Sequence, residues 1–123
     1  MLIADAAARS GLSEDTIRFY EKSGMLPLIG RDARGWRDFV PADIEWLRTL
    51  GHLRATGMPL DDVKAFAVSA HAPDAETTSQ QAKRLKILQN HAETLAQRKA
   101  ELDACDAYLR HKIGIYTSLL ETT

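Results

Sequence analysis

From Thr77 to Ile113 the chain contains neither proline nor glycine, and no other feature limits its possible folds so strongly. Uninterrupted good helix formers predict a single long helix, and Thr77 and Thr78 each have a glutamine three residues on, the spacing of a capping box at a helix start. Inside the run Leu88, Leu95, Leu102 and Leu109 recur every seven residues. Leu85 and Ala92 fill the alternate seam positions until Lys99 and Asp106 interrupt them. About thirty-five residues at 1.5 Å each make a rod of roughly 50 Å, longer than the small region before it can cover. An apolar stripe left uncovered asks for a partner, and a second copy of the chain is the simplest one. Gly114 predicts the end of the helix, leaving residues 114–123 as a tail whose Ile115, Tyr116 and Leu119 fold against a neighbour.

The rest of the chain allows one modest domain. At 123 residues there is room for a single small core plus the rod, and a multi-domain enzyme is not expected. No stretch approaches a membrane span, and no basic segment leads into an apolar run at the N-terminus, so a soluble cytoplasmic protein is expected. One cysteine, Cys105, cannot form an internal disulfide or a structural zinc cluster. Sixteen Lys and Arg against seventeen Asp and Glu give no global sign of a nucleic-acid binder. The window Arg18 to Arg37 differs, because Arg18, Lys22, Arg31, Arg34 and Arg37 face only Glu21 and Asp32, five minus two, or +3. Such a cluster is a DNA footprint or a solvated charged face.

Local signals divide the first seventy residues. Ile3 to Ser10 is alanine-rich and ends at Gly11; Ser13 is a good N-cap with Glu14 and Asp15 in the first turn, predicting a second helix to about Lys22. Two short helices joined by a tight glycine turn make a helix-turn-helix. Met25 to Phe39, with Pro27, Gly30 and Gly35, reads as irregular chain or a small hairpin. Pro41 opens a helix from Ala42 to Thr56, and Leu60 to Ala70 gives another. Ile17, Phe19, Leu47, Leu50 and Leu53 are the expected core.

These blocks, in this order, resemble the MerR family of bacterial transcriptional regulators. The resemblance is carried by Ile3, Gly11 to Ser13, Thr16 to Glu21 and Gly24 to Pro27; by Arg31, Gly35 to Arg37 and Phe39, with Trp36 where a tyrosine is more usual; and by Asp43-Ile44, Leu47, Leu53-Arg54, Gly57-Met58 and Leu60. It covers residues 3 to 66 closely and the long helix by layout. It implies an all-α fold, a winged helix-turn-helix DNA-binding domain (1–70) with a small β-hairpin wing. A linker (71–76), a coiled-coil dimerisation helix (77–113), antiparallel by resemblance, and the tail (114–123) would follow. It also implies a homodimer on double-stranded operator DNA that bends and untwists a promoter so that RNA polymerase can engage it.

Residue chemistry agrees with that role. Arg18 can fork onto a phosphate or guanine edge, or pair with Glu14 or Glu21. Ser13, Thr16 and Tyr20 offer hydroxyls to DNA, although Thr16 could be a plain surface residue and Tyr20 a core one. In the wing Arg31, Arg34 and Arg37 can reach the backbone beside Trp36, which could equally pack within the hairpin. Arg54 can reach phosphate or answer a helix dipole. Metal-sensing relatives carry a cysteine at the start of the long helix, where this chain has Ser79, and more cysteines beyond it. No metal or cofactor is therefore expected, and His52, His71, His91 and His111 are too scattered to form a ligand set. The segment from Tyr108 to Ile113, with Tyr116, resembles the aldehyde- and nitrosative-stress branch, in which a reactive cysteine commonly sits in the helix that here carries His52. Cys105, beside Leu102, reads as a small buried apolar residue. The effector stays open, as does an adaptor that uses the coiled coil to bind protein alone.

Overall fold

The computed structural model describes residues 1–122. Its elements are α1 (Ile3–Ser10), α2 (Glu14–Lys22), the strands β1 (Gly30–Arg31) and β2 (Arg37–Asp38), α3 (Pro41–Ala55), α4 (Leu60–Ala70) and α5 (Thr78–Glu121). The chain divides into two compact units, one from Met1 to Leu88 and one from Gln89 onward.

In the first unit, local chemistry sets the boundaries. Gly11 at φ 79° closes α1 in the left-handed region, and its N–H reaches the Ala7 carbonyl. Ser13 caps α2 by accepting the Thr16 N–H at 3.1 Å. Pro41 occupies the first position of α3, where a missing N–H costs nothing, and the Asp43 carboxylate accepts the Val40 N–H at 2.9 Å. Thr77 caps α5 through the Gln80 N–H at 3.3 Å, while the Gln80 side chain turns to Asp74 instead of closing the box.

The core gathers one face from each helix: Ala6, Ile17, Tyr20, Ile44, Leu47, Leu50, Val63 and Ala67, with Met25, Ile29, Phe39 and Met58 from the connections. Each large apolar side chain buried here contributes about 1.5–3 kcal/mol to the stability of this unit. One expectation is reversed in α2. Phe19 is about half exposed and Tyr20 is buried, because Tyr20 follows Ile17 by three residues and shares its face while Phe19 points away. Trp46 lies between Phe66 and His71, and its indole N–H donates to the Met25 carbonyl at 2.8 Å, fixing α3 to the segment after α2.

The long helix also departs from the expected layout. It runs 44 residues without a break at Gly114, so residues 114–121 continue the helix rather than forming a separate tail. The leucine stripe is bare: Leu95, Leu102 and Leu109 are 43%, 69% and 59% exposed, and Ile113, Tyr116 and Leu120 continue the apolar exposure. Cys105, beside Leu102, is exposed in the single chain like the leucines of the stripe.

Candidate nucleic-acid interface

The wing is a two-stranded antiparallel hairpin in which Gly30 pairs with Asp38 and Arg31 with Arg37. Its turn is organised by Asp32. One carboxylate oxygen accepts the backbone N–H groups of Arg34 at 2.9 Å and Trp36 at 3.1 Å, and the other accepts from the Arg34 guanidinium at 3.0 Å. Partial burial pushes this carboxyl's pKa up. The hydrogen bonds from the Arg34 side chain and the two backbone N–H groups outweigh that and hold it below its ordinary value. Gly35, at φ 82°, supplies the left-handed residue the turn needs. At the tip the Arg34 guanidinium lies 4.3 Å from the centre of the Trp36 ring, which is 54% exposed; Trp36 is presented to solvent instead of packing into the hairpin. Arg31 donates to the Gly35 carbonyl at 2.7 Å. At the wing's base the Phe39 N–H donates to the Met1 carbonyl at 2.7 Å, which anchors the hairpin beside α1.

The wing and α2 enclose a groove of about 780 Å³, lined by Arg18, Glu21, Lys22, Arg31, Trp36 and Arg37, with Leu2, Ile3, Ala4 and Gly35 completing the wall. Four cations against one acid leave its lining at +3. The acid has a task, since Glu21 pairs with the Arg37 guanidinium and ties the wing to α2. Arg18, mostly exposed, pairs with Asp15 at 3.2 Å and more loosely with Glu14 at 3.7 Å, and not with Glu21. Surface pairs of this kind are worth about 0–1 kcal/mol, so an incoming phosphate can displace them.

The structure thus brings together Arg18, Arg31, Trp36 and Arg37, with Arg34 stacked on Trp36 at the rim. Ser13 and Thr16 stay outside the groove wall and are engaged with each other, the Ser13 hydroxyl donating to that of Thr16 at 2.8 Å. Arg54 spans the α3–α4 turn by donating to the Met58 carbonyl at 2.6 Å. The Tyr20 ring is core and not a presented contact, which corrects the expectation for that residue. Two contributors were missed. Lys22 lines the groove one helical turn after Arg18, a spacing that placed it on the same face. Asp32 shapes the wing, and Asp followed three residues later by Gly is a recognisable turn pattern.

A helix-turn-helix with a cationic wing defines a DNA-binding regulator, and comparison with known proteins gives the family. Residues 1–67 match the model of the MerR HTH family regulatory proteins, and residues 44–112 match a MerR DNA-binding model. An HTH-type transcriptional regulator of Haemophilus influenzae is 38% identical across 92% of this chain and 81% of its own length. Among solved structures, HiNmlR, a MerR family regulator lacking the sensor domain and bound to promoter DNA, superposes with a TM-score of 0.77. It is 36% identical, over 95% of this chain and 90% of that one. A Listeria monocytogenes protein assigned to the same family gives a TM-score of 0.81 at 27% identity, over 94% of this chain and 85% of its own. The chain belongs to the MerR family and is a DNA-binding transcriptional regulator of that type.

Proposed function

We propose that the chain acts as a homodimer joined through α5, presenting two copies of α2 and its wing to one operator duplex and regulating a promoter by distorting the DNA between them. The observation that carries this reading is the pairing of a cationic groove in the first unit with a bare leucine stripe on α5. The groove supplies phosphate contacts, with Arg18, Lys22, Arg31 and Arg37 as the donors and Arg34 and Trp36 at its rim. The stripe supplies the partner. In this reading bending the duplex costs a few kcal/mol of elastic energy, offset by the wing contacts that the bend allows, and RNA polymerase is the beneficiary at the promoter. Ser13, Thr16 and Arg54 serve mainly as structural supports, since each is engaged within the domain. The HiNmlR structure, a MerR family regulator bound to promoter DNA, supports promoter DNA as the partner of this chain. No helix among the described residues is long and apolar enough to cross a membrane, which fits a protein working beside the chromosome in the cytoplasm.

The test is a mobility shift with the DNA upstream of the protein's own gene across a range of salt. A specific complex with the mass of two chains, weakening steeply as salt rises, is the expected result. A chain that dimerises but leaves that DNA and randomised duplex equally unbound would return the adaptor reading.

A further inference from the structure

The first turns of α5 are held to the winged domain by a polar clasp that takes no part in the groove. Arg84 donates through Nη1 to the Ser69 carbonyl at 2.9 Å and through Nη2 to the Ala75 carbonyl at 2.9 Å. One arm thus holds the C-terminal end of α4 and the other holds the segment that leads into α5. The Ser69 side chain is almost fully buried, and its hydroxyl accepts from Arg84 at 3.3 Å while donating to the Gln80 side-chain carbonyl at 2.7 Å. The Gln80 amide in turn donates to Asp74 at 3.2 Å. Two side chains of α5 therefore grip residues 69, 74 and 75, on either side of the turn at Ala72 and Pro73. Arg84 forms no ion pair among the described residues; its guanidinium is spent on carbonyls and a hydroxyl. A planar, forked donor suits that work, and a positive charge beside the terminal carbonyls of α4 is favoured by the helix dipole.

We propose that Arg84 is a positioning residue for DNA binding: its two-armed grip on Ser69 and Ala75 fixes where α5 leaves the winged domain, and so the separation at which a dimer offers its two DNA-reading units. The proposal rests on the homodimer reading above. In a dimer held by α5, any play at this joint widens the range of half-site spacings that both domains can meet at once. A rigid joint makes the protein selective for one spacing, while each half-site is still read by the groove residues.

The experiment uses full-length protein and a duplex that the wild type selects from a random pool, together with versions carrying one or two base pairs inserted or removed at its centre and an isolated half-site. Two added base pairs rotate one half-site against the other by roughly 70°. The wild type is expected to lose about tenfold or more on the altered duplexes, since engagement of the second half-site fails when geometry forbids it. Arg84→Ala should cut that loss at least several-fold, with half-site affinity and sedimentation mass unchanged. Arg84→Lys keeps the charge but not the fork and should behave like the alanine variant. Arg84→Lys with wild-type spacing selectivity would overturn the forked-grip role, as would Arg84→Ala with an unchanged loss. Uniform weakening on every duplex, half-site included, would reduce Arg84 to a fold-stabilising residue and overturn the proposal too. Ser69→Ala removes only the hydroxyl that Arg84 and Gln80 share and leaves both carbonyl acceptors, so it should keep most of the wild-type spacing preference; a relaxation as large as that expected of Arg84→Ala would overturn the two-carbonyl grip. A wild type that sediments as a monomer and shows no spacing preference would instead refute the dimer reading, and this proposal with it.

Discussion

Arg18 and Arg37 differ in what holds them, and that difference predicts how their loss is felt. Arg37 is tied to Glu21 and aimed along the wing, a placement suited to phosphate. Arg37→Ala should weaken all sequences about equally and reduce the slope of log K against log salt by about one unit per subunit contact. Arg18 stands on the outward face of α2, where a base edge is also within its range. Arg18→Ala should weaken the preferred site more than random duplex, by about 1–3 kcal/mol if it forks onto guanine. Anisotropy titrations on both duplexes at several salt concentrations check the two together, and unchanged affinity and slope would remove either residue from the interface. The wing cations stood out in the sequence through their match to the family pattern around Gly35, since a charge cluster alone is as readily a solvated face. Phe19 and Tyr20 were not sorted correctly, since composition says only that one aromatic of an adjacent pair faces inward. Their roles follow from the register with Ile17, which puts Tyr20 on the same face and Phe19 on the other.

At the scale of the element, the wing depends on one carboxylate. Asp32→Ala removes the acceptor for the Arg34 and Trp36 N–H groups and the partner of the Arg34 side chain, so the turn should loosen while the helices keep their content. Faster amide hydrogen exchange confined to residues 31–37, with weaker DNA binding, is the expected outcome; a wing as protected as the wild type would show that the strand pairing suffices. Helix boundaries were mostly legible because caps and breakers are local: Gly11, Ser13 and Pro41 each act within one turn. Gly114 misled for a related reason. A glycine inside a helix costs about 1 kcal/mol relative to alanine, too little to end a helix of 44 residues with good formers on both sides. A Cβ at Gly114 would meet no atom within 4 Å in the single chain. Gly114→Ala should therefore raise the stability of the helix by about 0.5–1 kcal/mol, seen as a higher melting temperature. A lower melting temperature would place a partner against that position.

For the whole molecule, the seven-residue leucine spacing was legible because it is a periodicity of the sequence itself, and on one continuous helix it becomes one apolar stripe. Its exposure in the single chain underlies the proposal that assembly through α5 and tight operator binding are one property. Leu102, 69% exposed and in the middle of the stripe, is the place to challenge it. Leu102→Asp would set a carboxylate in the seam, where it must stay unpaired or be neutralised at a cost of several kcal/mol. The core from Ile17 to Ala67 lies elsewhere and should survive, leaving a folded monomer with an intact groove. The decisive measurement is the operator affinity of Leu102→Asp at a concentration where sedimentation shows a monomer. The expected result is a loss of about a hundredfold or more, the gain in effective concentration that linking two reading units provides. A monomer that binds the operator as tightly as the wild type would contradict it.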